Sequence, residues 1–382
     1  MQTHLSRIEL NRTELNLADL NHALAIPDLS DPGSGHAMAT LLEDVTDALG
    51  GRWGVPVATH RLSPLVATRD NYDRLGYSPD DVTRDSRYSR HVSPTVMLRS
   101  HTSAGVPALL DSLREVQDRY DTLHVLPGLV YRRDAVDRTH VGTPHQVDLW
   151  RLQSRGLLGV TDLHAMLSTV VDAVLPGARW RAVPSAHSYT TAGVQLDVWV
   201  DGAWLELAEA GLVAASVLRA AGLDPRRWGG LALGMGLDRA VMLRKGIDDI
   251  RLLRSADPRV ASQMGDLLPY RPVSAMPPMR RDLSLVCNDD ADAEVLGDAA
   301  RTALGRDAEV LAGLQVLTVT PASHLPDAAV GRLGIRPGQA NVLVRLTLQS
   351  LERTLTTAEA NALRNRVYLA LHEGPELELI AV

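Results

Sequence analysis

The chain has no phenylalanine, one cysteine and one lysine among its 382 residues. A lone Cys287 excludes an internal disulfide and offers no thiolate spacing for a metal centre, which fits a reducing cytoplasm. Long apolar runs are also missing, so no stretch reaches the length of a membrane-spanning helix, and the N-terminus lacks the basic-then-apolar pattern of a secretory signal. The net charge of −7 has the wrong sign for a general nucleic-acid binder, although a local basic groove is compatible with it. Lys245 apart, all the fixed positive charge is arginine, as GC-rich coding produces. The missing phenylalanine is different, because other large apolar residues remain plentiful.

What is present is ordinary for a globular protein: 45% apolar residues and a length sufficient for two cores. Residues 1–33 read as an irregular or loosely attached leader. Met38, Leu41, Leu42, Val45 and Leu49 then fall at helical spacing, with Ser34 as the expected cap and Gly50-Gly51 as the expected stop. Val55 to Val66 is strand-like and carries Pro64, and Ala104 to Tyr120 reads as a helix. Leu123 to Arg133 and His145 to Leu152 read as antiparallel strands joined by a polar loop. After a helix capped by Thr161, Arg179 to Leu207 alternates in strand fashion, with Asp201-Gly202 as a hairpin turn. Leu212 to Ala221 and Leu237 to Lys245 read as short helices. The sum is an α+β protein, an antiparallel sheet with helices packed on it.

Leu267 to Pro278, rich in proline, reads as a linker. Beyond it the expected order is strand 283–287, helix 292–304, strands 314–319 and 342–348, helix 357–372 and a last strand 377–382. That βαββαβ order is the ferredoxin-like split motif.

The chemistry is concentrated in two segments. Val130 to Asp148 reads VYRRDAVDRTHVGTPHQVD, placing Arg132 and Asp134 on a strand before a loop and a returning strand. About ninety residues later comes Gly-x-Gly-x-x-Arg, from Gly234 and Gly236 to Arg239. Arginine suits phosphate work because its guanidinium pairs bidentately with phosphate oxygens and stays charged. The glycines allow close approach of backbone and nucleotide.

This pairing resembles the ATP-holding motifs of class II aminoacyl-tRNA synthetases, and the wording is most similar to phenylalanyl-tRNA synthetases. His101-Thr102-Ser103, His145-Gln146-Val147-Asp148 and Gly246-Ile247-Asp248-Asp249-Ile250-Arg251 resemble segments of that catalytic chain in the same order. Met279 to Ser284 and Leu351 to Thr356 resemble its ferredoxin-fold anticodon-binding domain, so the likeness spans roughly residues 55 to 382. It implies a catalytic domain at 34–266, a linker at 267–278 and an anticodon-binding-like domain at 279–382. It implies ATP and Mg2+ as requirements and an aminoacyl adenylate as the product of the first step.

By the same resemblance Arg132 bridges the substrate carboxylate and the α-phosphate, and Arg239 holds the far phosphates. Asp134 and Glu206 are expected at adenine or Mg2+, beside Gly234 and Gly236. His101, Ser103, Gln146 and Asp148 are expected around the amino acid's polar end, and Ala232 at the pocket floor. The pattern departs from the family where Asp148 replaces a longer glutamate and where Pro144 replaces an adenine-stacking phenylalanine. His187-Ser188-Tyr189 stands in place of Phe-Pro-Phe, and Glu209 in place of a small residue. A pocket so changed is expected to favour a more polar amino acid than phenylalanine.

Ser274 to Val382 holds 10 Arg against 14 Asp plus Glu, a balance of −4 that is poor for holding tRNA. Three functions therefore stay open: tRNA charging, transfer of an activated amino acid to another acceptor, or non-catalytic amino-acid sensing. A monomer or homodimer is expected.

Overall fold

The computed structural model describes residues 14–84, 89–116, 118–133, 135, 137–273, 276–375 and 377. Along the chain, helix α1 spans Leu17–Leu24, α2 Ala37–Trp53, strands β1 and β2 Val57–Thr59 and Leu65–Ala67, and α3 Thr68–Asn71. There follow β3 Arg90–Ser93, β4 Val96–Leu98, α4 Val106–Ser112, β5 Asp121–Leu129, β6 His145–Gln153 and α5 Val160–Val174. Next come β7 Trp180–Pro184, β8 Thr190–Val200, β9 Ala203–Val213, α6 Ala215–Ala220, β10 Gly229–Gly236, α7 Leu237–Lys245 and α8 Pro258–Ala261. The remainder is β11 Met279–Asn288, α9 Ala293–Leu304, β12 Leu311–Pro321, α10 Asp327–Leu333, β13 Gln339–Leu348 and α11 Thr357–Leu371.

A seven-stranded sheet in the order β1-β5-β6-β10-β9-β8-β7 dominates; only β1 and β5 pair in parallel. The apolar faces of α2, α5 and α7 cover one side of it, burying Leu41, Val45, Leu49, Met166, Val170 and Val241 against strand residues such as Leu149, Leu196 and Leu233. On the other side α4, α6 and Trp150 form a second core. A separate sheet, β11-β13-β12, carries α9 and α11 over its own core. Its strand order is the one a βαββαβ chain requires, and the last expected strand falls at residues that, except for Leu377, lie outside those described. The α+β architecture expected from the sequence is present. No helix among the described residues is long and apolar enough to cross a membrane.

Several local expectations are corrected. The leader is not loose where it is described. Asn16 caps α1, and Leu15, Leu20, Ala23 and Ile26 pack against Leu98, Leu129 and Tyr131. Helix α2 is capped by His36, whose Nδ1 accepts from the Met38 amide, and it continues through Gly50-Gly51. Its stop is Gly54, at φ +63°, where the left-handed conformation returns an N–H to the Gly50 carbonyl. The stretch around Pro64 is two short strands in different sheets, and the helix expected from Ala104 is confined to α4 after a 3-10 turn. Lys245 ends α7 buried, with Nζ donating to the carbonyls of Asp266 and Leu268 at 2.7 Å and to Asp266 Oδ1 at 3.2 Å.

Candidate active site

Strand β10 lies between β6 and β9, and this order brings the sequence motifs together. Gly234 is opposite Asp148 on one side and Glu209 on the other, and Gly236 is opposite Gln146. A cavity of about 190 Å³ opens there, lined by Arg132, Pro144, Glu206, Gly234, Gly236 and Arg239 among others. Asp238 and Arg239 line it from the first turn of α7, the helix end that favours anions. Strict alternation would put Glu206 and Glu209 on opposite faces of β9. A bulge at Leu207, where Leu196 pairs with Ala208 but Asp197 pairs with Glu206, adds one residue and turns both carboxylates to the same cavity.

Arg239 Nη1 donates to the Glu206 carbonyl at 3.3 Å. Burial, and then the like charge of Glu209, raise the Glu206 carboxyl above its ordinary range. Asp134 lies outside the described residues. Arg132 lines both this cavity and a second one of about 490 Å³, which also borders Tyr77, His101, Ser103, Gln146, Tyr189 and Glu209. The two cavities share Arg132, Gln146, Tyr189 and Glu209, so one continuous site runs past the Arg132 guanidinium.

At the second cavity His101 and Gln146 have buried polar atoms, both imidazole nitrogens and Oε1, without a hydrogen-bond partner among the described residues. Burial, helped by nearby Arg132, pushes the His101 imidazole down to about 4, which keeps it neutral near pH 7. Asp148 is fully buried and lines neither cavity. Its carboxylate accepts from Thr102 Oγ1 at 2.6 Å, Ser103 Oγ at 2.9 Å and Trp150 Nε1 at 3.0 Å, and burial raises its pKa. Ala232 is likewise in the core, paired with Trp150 behind the cavity wall.

His187 also stands outside the lining. Its Nε2 lies 3.1 Å from Glu209 Oε1, with His187 9% exposed and Glu209 42% exposed, so Glu209 keeps water on one side and His187 on the other. Aromatic rings are nonetheless present at the site. Tyr189 stacks on Trp150 at 5.8 Å and Tyr77 on His101 at 5.5 Å.

A buried knot in the wall of the first cavity was not legible in the motifs. Asp238 accepts from the His145 amide at 2.5 Å and pairs with Arg254 at 3.2 Å, while Arg254 also donates to the Thr143 carbonyl. Burial alone would raise Asp238; Arg254 and His145 overcome it and hold the carboxylate at about 2. Its position beside Arg239 was the available signal. Thr102, Trp150 and Tyr77 were also missed. Trp150 could have been read from the two-residue repeat that puts it on the same face of β6 as Asp148.

Residues 27–264 match the family model described as tRNA synthetases class II core domain (F). The phenylalanine–tRNA ligase alpha subunit of Prochlorococcus marinus (strain MIT 9313) is 34% identical over 62% of this chain and 69% of its own length. The chloroplastic/mitochondrial phenylalanine–tRNA ligase of Arabidopsis thaliana is 28% identical over 83% of this chain and 72% of its own. The mitochondrial phenylalanine–tRNA ligase of Saccharomyces cerevisiae is 25% identical over 84% and 82%.

Proposed function

Because the chain belongs to the class II tRNA synthetases of the F core-domain family and is a ligase, we propose that it activates an amino acid with ATP and passes it to tRNA. One observation carries this reading: Arg132 and Arg239 line one cavity with Glu206 and the two glycines, and Arg132 continues into the adjoining cavity. In the first step the amino-acid carboxylate attacks the α-phosphorus and the bond to pyrophosphate breaks. Arg132, bordering both cavities, is placed to hold the attacking carboxylate and the α-phosphate together, while Arg239 and the first turn of α7 hold the leaving phosphates. In the second step a ribose hydroxyl of the tRNA terminus takes the acyl group and AMP leaves.

Mg2+ fits this site as an ion carried by the nucleotide. Glu206 lines the cavity beside Glu209, and burial and that like charge raise its carboxyl, a pairing that a cation would relieve; no cluster of three or more ligating side chains that could hold a metal ion occurs among the described residues. When bound, the ion supplies charge neutralisation at the phosphates; Glu206 would hold it.

The domain division at 34–266 and 279–382, an anticodon-binding role for the second unit and a cytoplasmic location belong to the same proposal. Relatives named as alpha subunits lend no support to the expected monomer or homodimer, and a second, different subunit belongs to the proposal instead. Incubation with ATP, an amino-acid panel and total tRNA tests the reading. Acid-stable charged tRNA is the expected product. Adenylate without charging would move the acceptor from tRNA to another amine or carrier, the reading favoured by the acidic residues 274–382.

A further inference from the structure

Resting on the reading that the second cavity takes the amino acid, we propose that its substrate has a side chain ending in an N–H or O–H donor, which docks on the Glu209 carboxylate. Glu209 borders both cavities, and His187 Nε2 stands 3.1 Å from its Oε1. An ionised carboxylate accepts about four hydrogen bonds, so the group retains capacity toward the cavity. His187 is fixed in turn, with Thr190 Oγ1 3.3 Å from Nδ1 and Ser185 Oγ 3.3 Å from Nε2. The pair therefore forms part of a built wall.

A hydrocarbon ring seated here would remove water from Glu209 and return nothing, leaving a charged acceptor desolvated and unpaired. A donor-terminated side chain replaces that water. The Tyr77 and Tyr189 rings at the same cavity supply flat apolar contact for the rest of the side chain without demanding a hydrocarbon tip. Asp148 does not provide this anchor, because Thr102, Ser103 and Trp150 occupy it in the core. Gln146 Oε1 is buried, and of the two glutamates that border this cavity, Glu209 and Glu294, Glu209 is the one that also borders the first cavity.

The full chain is tested in two ways against tyrosine, 4-aminophenylalanine, histidine, lysine and arginine, with phenylalanine, leucine and methionine as donor-free controls. ATP–pyrophosphate exchange ranks them by kcat/KM, and the rise in unfolding temperature with each amino acid ranks binding without any chemistry. A donor-terminated acid should lead phenylalanine by about tenfold or more. Glu209→Ala should erase that lead and Glu209→Gln should keep part of it. Phenylalanine, leucine or methionine in first place, or an unchanged ranking in Glu209→Ala, overturns the proposal. If Glu209→Ala fails to fold, the wild-type ranking together with Glu209→Gln decides. A donor preference in binding without exchange would sustain this inference and sink the adenylation reading. No response to any amino acid in either assay would end both.

Discussion

Asp238→Asn separates the buried knot in the wall of the first cavity from Arg132 and Arg239, which line the same cavity. The wild-type carboxylate is buried and is held by Arg254 and His145 at about 2, against an ordinary 3.8. At about 1.4 kcal/mol per pKa unit, that shift corresponds to about 2.5 kcal/mol of folding stability at neutral pH. The folded-state value is depressed, so the contribution is complete above the unfolded value of 3.8 and is lost as pH falls through about 2. Asparagine keeps one oxygen for the His145 amide but turns an NH2 toward Arg254, leaving that partly buried cation without its counter-charge. Urea unfolding at pH 7 should therefore show a loss of about 2–3 kcal/mol, and the gap from wild type should shrink to about half by pH 3. The same change should raise the KM for ATP, because Asp238 joins α7, which carries Arg239, to the start of β6. A stability difference below about 0.5 kcal/mol, or one of equal size at pH 7 and pH 3, would refute the role assigned to this group.

Other consequences are equally direct. In Gly193→Ala the new Cβ would fall 2.3 Å from the Ser185 carbonyl and 3.0 Å from His187 Nδ1; it should weaken amino-acid binding severalfold while leaving the KM for ATP near wild type, measured by exchange kinetics. Lys245→Met removes the buried donor from the carbonyls of Asp266 and Leu268 and should cost about 1–3 kcal/mol in urea unfolding; Lys245→Arg should recover only part, since a planar fork replaces three rotatable donors. Asp298, on α9, pairs with both Arg90 and Arg133. Asp298→Ala should lower the unfolding temperature by several degrees through the two arginines it leaves, as read by calorimetry.

Much of this molecule is legible in its sequence because short-range rules dominate where the chain turns. The expected bounds of α7 match those observed, and Asp201-Gly202 makes its hairpin with both residues at positive φ. After residue 278 the two long helices and three of the four expected strands fall in the expected order, while α10, between β12 and β13, was not expected. The motif resemblance marked Arg132, Gly234, Gly236 and Arg239, and these four residues line one cavity. Legibility failed where tertiary packing overrode local signals. Gly50-Gly51 did not stop α2, since its buried stripe continues until Gly54 can turn left-handed, and the leader formed α1 because Leu98, Leu129 and Tyr131 offer it an apolar surface. Asp148 reads as a substrate contact by position, yet three donors from distant and neighbouring residues draw it inside. The bulge at Leu207 leaves no mark in composition, although it decides which way Glu206 faces.

The central claim is that Arg132 and Arg239 form an adenylating centre, and amino-acid-dependent ATP–pyrophosphate exchange tests it most directly. Wild-type protein should exchange in the presence of its amino acid, and Arg132→Ala and Arg239→Ala, folded by circular dichroism, should each fall by about a hundredfold or more. Undiminished exchange in either variant, or no exchange by wild type with any amino acid, would contradict it.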